Sequence, residues 1–117
     1  MPEKQSRRIA VVGSREYPNL EAVRQFVREQ ERTTVIISGG ARGVDTAAVE
    51  EARRLGMPYE VHLPDWQAHG RKAGILRNHQ IVKSADEVVA FWDGQSRGTQ
   101  STIQEAKAVG KPVRVNP

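Results

Sequence analysis

Three short stretches of the chain carry residue types suited to holding an anion. The first is Ser38-Gly39-Gly40-Ala41-Arg42-Gly43-Val44-Asp45, with three glycines inside five residues and a carboxylate just beyond. Glycine has no Cβ, so such a turn can take positive φ and bring its backbone close to a ligand. A helix opening directly after it adds unpaired N–H groups and the positive end of its dipole. A phosphate is what such a turn can hold. The second stretch, Gly94-Gln95-Ser96-Arg97-Gly98-Thr99, repeats the pattern with a hydroxyl at the helix start. The third, Gly13-Ser14-Arg15, joins a glycine to a guanidinium, the side chain suited to bidentate phosphate contacts. Six cations (Arg15, Arg42, Arg71, Lys72, Arg77 and Arg97) lie in or near these loops and a fourth one around residues 64–72.

Other residues narrow the chemistry. Asp45 beside a phosphate would repel it, so it needs another purpose. It either caps its own helix, worth about 1 kcal/mol, or accepts hydrogen bonds from ribose hydroxyls, and the two are compatible. Trp66 and Tyr17 are aromatics in loops, on which a base can stack, whereas Trp92 closes an apolar run and reads as core. His62, His69 and His79 lack the spacing of a metal set, and there is no cysteine, so neither metal nor cofactor is assigned. Ser14, Ser38 and Ser96 have no companion histidine at a recognisable spacing, which leaves nucleophilic catalysis without support. No lysine–hydroxyl pair follows the glycines as in a Walker loop, and no GxGxxG follows the first strand.

The elements that must carry these loops follow from apolar patterning. Ile9–Val12 and Val35–Ile37 are apolar on both alternations, as central strands covered on both faces must be. Glu87–Trp92 is the most hydrophobic run of the chain. Tyr59–Leu63 and Pro112–Val115 alternate apolar and polar residues, which suits edge strands. Between them come helical patterns. The first starts near Asn19, a good N-cap, with Leu20, Val23, Phe26 and Val27 inward. The second runs from Val44 to a stop at Gly56 and Pro58. The others span Ala73 to Ser84 and Thr99 to about Val109, and Pro64–Lys72 reads as a longer loop. Five strands alternating with four helices call for a parallel sheet with helices on both faces. Right-handed crossovers and the two edge strands select the order 3-2-1-4-5. In that order all the loops above open on the carboxyl edge of the sheet, beside the point where the chain reverses.

Composition sets the outer bounds. The chain has 117 residues, enough for one layered domain over residues 8–117 behind a flexible leader at 1–7. No apolar run is long enough for a bilayer, and the N-terminus lacks the apolar segment of a secretory signal, so a cytoplasmic setting without membrane partners is expected. The net charge of +4 invites a nucleic-acid reading. However, Arg24, Arg28, Arg32, Arg53 and Arg54 share helices with glutamates, the mark of solvated faces.

Gly13-Ser14-Arg15, the run Ser38 to Asp45, and Ala73-Gly74 followed by Arg77-Asn78 together resemble the SLOG superfamily, in its YspA/YpsA-related branch. The likeness extends from about Ile9 to Val115. That superfamily also takes in the DNA-processing protein A (Smf) and Lonely Guy groups. The resemblance implies a three-layer, Rossmann-like nucleotide-binding domain of the kind found in bacterial and phage conflict systems. It also implies site roles for Ser14, Arg15, Gly39, Gly40, Arg42, Asp45, Arg77, Asn78, Gly98 and Thr99. One element departs from the Lonely Guy pattern, in which a glutamate stands three residues past a Gly-Gly-x-Gly-Thr threonine. Here the third residue after Thr99 is Thr102, and Glu105 lies six residues on. Cleaving a glycosidic bond favours placed carboxylates, so Asp45, Asp65 or Asp93 would have to serve.

The leading expectation is therefore a nucleotide-binding module, acting as sensor or processing unit. Its phosphate would rest on the two glycine loops with Arg15, Arg42 and Arg77, its ribose near Asp45 or Asn78, and its base near Trp66 or Tyr17. Ser38, Gly43 and Gly94 would complete the loops. A phosphoribohydrolase-type enzyme and a single-stranded nucleic-acid binder are the alternatives. Association into a homodimer or larger oligomer is a further expectation, because a shallow crevice on so small a domain can be completed by a neighbour.

Overall fold

Strand β1 (Arg8–Gly13) is buried on both sides, and this divides the molecule into layers. Its alternate side chains point to opposite faces. Ile9 and Val11 enter one core cluster, while Ala10 and Val12 enter the other. The computed structural model describes residues 6–117, so the first five residues of the expected leader lie outside it. Within that leader, the Arg7 carbonyl accepts from the Val35 N–H at 2.8 Å, and its guanidinium pairs with Glu87 at 2.6 Å.

The remaining elements are α1 (Leu20–Arg28), β2 (Val35–Ser38), α2 (Val44–Arg54), β3 (Tyr59–Val61), α3 (Trp66–His69), α4 (Ala73–Ser84), β4 (Glu87–Phe91), α5 (Arg97–Ala108) and β5 (Val113–Asn116). The strands form one parallel sheet in the order β3-β2-β1-β4-β5. Helices α1 and α2 bury Val23, Val27, Val44, Ala47 and Ala48 against one face. Helices α4 and α5 bury Ile81, Val82, Ile103 and Ala106 against the other. The architecture is the three-layer one the strand pattern predicts, with β3 and β5 at the edges. Asn19 caps α1 by accepting from the Ala22 N–H at 3.1 Å, and Gly56 has the positive φ of 72° expected at the stop after α2.

Three local differences have physical reasons. Strand β3 is shorter than Tyr59–Leu63, because Pro64 lacks the N–H that would extend the ladder. The stretch read as a loop contains α3, capped by the Asp65 carboxylate, which accepts from the Ala68 N–H at 3.0 Å, and then a 3-10 turn at Gly70–Lys72. Helix α5 starts at Arg97 rather than Thr99, because Ser96 is its cap and its Oγ accepts from the Thr99 N–H at 3.3 Å. The mixed-charge faces are solvated with one exception. Glu51 is buried between Arg54, at 2.7 Å, and Arg28 of α1, at 3.2 Å.

Candidate ligand-binding site

The register that sets Gly13 beside Phe91 places the end of β1 next to the end of β4, where the chain's crossovers reverse. Parallel sheets bind ligands at such a reversal. A hollow of about 270 Å³ opens there. Val12, Gly13 and Ile81 line it from the sheet and from α4; Ala41 and Asp45 line it from the β2–α2 side. Helix α5 contributes Gly98, Thr99 and Thr102, with Ser96 just ahead of it. Arg15, Arg77 and Asn78 supply the remaining polar groups. Gly13 is required for packing: a Cβ there would stand 2.4 Å from the Phe91 carbonyl oxygen and 2.6 Å from Val44 Cγ2.

The β2–α2 loop is closed on itself. Asp45 Oδ2 accepts from the Gly39 N–H at 3.2 Å and the Ala41 N–H at 3.3 Å. Ser38, fully buried, donates from Oγ to the Asp45 carbonyl at 3.2 Å. Gly40 turns at φ 76° beneath Leu63, and Gly43 at φ 83° lies against the Arg15 backbone. The run expected to cradle a phosphate thus spends its amides on a carboxylate of its own chain. Asp45 caps this loop; α2 itself begins at Gly43 with no side-chain cap.

Arg77 ties α4 to that loop, its guanidinium donating to the Gly39 carbonyl at 2.5 Å and to Asn78 Oδ1 at 2.9 Å. Burial pushes the Asp45 carboxyl up to about 6; the Ala41 amide, Arg77 and the Gly39 amide hold it back from going further. Burial also draws the Arg77 guanidinium down from its usual range, opposed by the Asp45 charge and assisted by Arg15. Arginine stays charged near neutrality regardless.

The β4–α5 loop is built differently. Ser14 is buried, and its Oγ accepts from the Asp93 N–H at 3.1 Å. The Asp93 carboxylate accepts from the Gln95 and Ser96 amides at 2.8 and 3.1 Å, which lowers its acidity constant below the usual carboxylate value. Gly94 completes the turn at φ 84°. First-turn amides have no partner inside a helix, and Ser96 satisfies that of Thr99. Gly98 is exposed, with nothing within 4 Å of where a Cβ would stand. The open helix start borders the hollow.

Of the six cations, Arg15 and Arg77 line the hollow. Arg42 pairs with Glu16 at 2.7 Å, both largely exposed, and Arg71, Lys72 and Arg97 do not line it. Asp65 caps α3, and Trp66 rides exposed on the same helix; neither they nor Asp93 line it, which leaves Asp45 alone among the three candidate catalytic carboxylates. Tyr17 cannot stack on a base. It is buried edge-on against Phe91, with centroids 5.7 Å apart, and its hydroxyl donates to the Pro117 carbonyl at 2.7 Å.

Thr102 and Ile81 were absent from the expected site. Each stands one helical turn beyond an expected residue, Thr102 after Gly98-Thr99 and Ile81 after Arg77. That spacing was the available signal. Among the described residues no three His, Asp or Glu side chains group as a metal site, and no helix is long and apolar enough to cross a membrane.

The sheet order and the crevice at its reversal define a Rossmann-like α/β domain. Within that class, the chain belongs to the YspA, cpYpsA-related SLOG family, whose model matches residues 7–69. It is 37% identical over 117 residues to the Gene 61 protein of Mycobacterium phage D29, a match covering 92% of this chain and 94% of that protein. Its fold is similar to that of DNA processing protein A from Streptococcus pneumoniae, with a TM-score of 0.81 at 23% identity, and 96% of this chain spans 50% of that one. It is also similar to DNA processing protein A from Helicobacter pylori, a single-stranded-DNA-binding protein, with a TM-score of 0.71 at 21% identity over 96% of this chain and 66% of that one.

Proposed function

We propose that the hollow binds a nucleotide or nucleotide-derived small molecule by its phosphate, with the anion at the start of α5 between Arg15 and Arg77. One observation carries this reading: two guanidiniums and an open helix N-terminus border the same space at the sheet's reversal. The donors there converge on charge developed by a phosphate. The amides of the other glycine loop are already engaged. At about 270 Å³ the hollow suits a phosphate and its sugar, being near the lower end of the roughly 300–1,000 Å³ typical of small-molecule sites. Asn78 and the Asp45 carboxylate stand where ribose hydroxyls would need partners. Binding is the function proposed, because a single lining carboxylate gives little support to hydrolysis.

A second reading, single-stranded nucleic-acid binding, draws on the Helicobacter pylori relative. Two lining cations distinguish the readings. A strand held by two contacts shows a log–log salt slope of about −1.4, whereas a strand tracked along a basic path shows a much steeper one.

Calorimetric titration with ribose 5-phosphate tests the main reading. Binding by the native protein, weakened at least about tenfold in Arg77→Ala, is expected, a loss of about 1.4 kcal/mol. No binding, or binding indifferent to Arg77, would overturn it. An oligodeoxythymidylate that binds with a steep salt slope while ribose 5-phosphate fails to bind would favour the second reading.

A further inference from the structure

The hollow accounts for a phosphate and a sugar but offers a base no aromatic surface, since Tyr17 is buried and Trp66 rides on α3 away from it. A second concavity of about 570 Å³ lies along the seam between α4 and α5. It shares Asn78 with the hollow, so the two are neighbours on one surface. Ile75 and Leu76 of α4, 65% and 37% exposed, give it an aliphatic wall without an apolar partner across it. Its polar groups are Asn78, Gln104 and Glu105, with His79 holding Glu105 Oε1 across the seam. No lysine or arginine lines it.

That chemistry is wrong for a second phosphate and right for a flat, uncharged, hydrogen-bonding group. A lone carboxylate repels an anion. A carboxylate oxygen only accepts, so it selects an N–H donor. The amides of Asn78 and Gln104 donate and accept, and the aliphatic wall covers a ring face. The distance also fits. Glu105 lies six residues beyond Thr99 on α5, about 9 Å along the axis at 1.5 Å per residue. A single nucleotide extends about that far from its phosphorus to the outer edge of its base.

We infer that the α4–α5 groove is a nucleobase subsite, in which Glu105 accepts a hydrogen bond from the exocyclic amino group of an adenine-like base while Ile75 and Leu76 cover the ring. This rests on the reading of the hollow as a phosphate site. The ligand class is thereby narrowed to a nucleotide whose base carries an amino group, with its phosphate at the start of α5 and its base one helical turn past Thr102. His79 is a positioning residue that fixes the carboxylate from α4.

The test compares ribose 5-phosphate, AMP and IMP by calorimetry and by amide chemical-shift mapping on the native protein. AMP is expected to bind at least tenfold tighter than either of the others. It should shift the amides of Ser101, Gln104 and Ala108, which ribose 5-phosphate leaves in place. Glu105→Ala should bring AMP down to the affinity of IMP without changing ribose 5-phosphate binding, and a melting curve on the variant verifies its fold. If ribose 5-phosphate binds through Arg77 but AMP gains nothing and the groove amides stay still, the base subsite is wrong and the phosphate site stands. If neither binds, both fall together. Groove amides that respond to protein dilution and not to AMP would assign this face to a second copy of the chain and overturn the inference.

Discussion

Two glycine-bearing loops on the same sheet edge, Ser38–Gly43 after β2 and Asp93–Gly98 after β4, look alike in sequence and do opposite things. In the first, the amides of Gly39 and Ala41 converge on Asp45, and Gly43 allows the loop to press on the Arg15 backbone. In the second, the Asp93 carboxylate and the Ser96 hydroxyl shape the turn, and Gly98 faces open space. An internal carboxylate stands in the first loop where a ligand anion would stand, and the second is left free. A glycine run therefore signals close approach of something to backbone, and the partner can belong to the same chain. The first loop is scaffold and the second is the ligand-facing one.

Gly43→Ala is the harshest way to break this contrast. The new Cβ would meet the Arg15 carbonyl oxygen at 2.5 Å in a backbone with φ 83°. Such a conformation costs a side chain on the order of 3 kcal/mol, and the melting temperature should fall by about 10 °C or more. A fall of only a degree or two would mean that the first loop is not packed as described.

Asp45→Asn probes the carboxylate that closes the loop. Its acidity constant is raised from 3.8 to about 6 in the folded protein by burial. The native state therefore holds its proton more tightly than the unfolded chain. This group's stabilising contribution is present at low pH and is lost as pH rises through 6. Asparagine retains an oxygen acceptor for the two loop amides and removes the titration. The stability of Asp45→Asn relative to the native protein should thus climb by about 2 kcal/mol between about pH 4.5 and pH 7, then level off. Urea unfolding across that range measures it, and a difference flat with pH would contradict a buried, titrating Asp45.

Gly98→Ala is the gentlest and the most pointed. The site is helical and open, so stability should hold or rise by up to about 1 kcal/mol, as alanine replaces glycine in a helix. Ribose 5-phosphate affinity should nevertheless fall several-fold, because a methyl group now stands over the first-turn amides. Stability and binding moving in opposite directions separates the second loop from the first, where Gly43→Ala harms both.

The contrast also explains what could be read from the residues alone. Sheet order was legible because Ile9–Val12 and Val35–Ile37 are apolar on both alternations, while Tyr59–Val61 and Val113–Asn116 are not. Loop placement followed from that order. The fate of each loop did not, since Asp45 sits two residues into its helix in a position that equally suits a ribose contact. Only coordinates reveal that its carboxylate turns back to Gly39 and Ala41. The cations show the same limit. All six lie near one edge in sequence, yet Arg42 turns out to Glu16 while Arg77 reaches inward to Gly39. Side-chain direction depends on packing partners far away in sequence. Tyr17 is the clearest case, since it follows a loop pattern but is claimed by Phe91 and by the C-terminal Pro117.

Amide chemical-shift mapping with inorganic phosphate tests the central claim most directly, because it reports on both loops at once. The account predicts saturable shifts at Arg97, Gly98 and Thr99, with Gly39 and Ala41 unmoved. Shifts concentrated at Gly39 and Ala41, with the start of α5 silent, would show that the phosphate displaces Asp45 from the first loop and would contradict it.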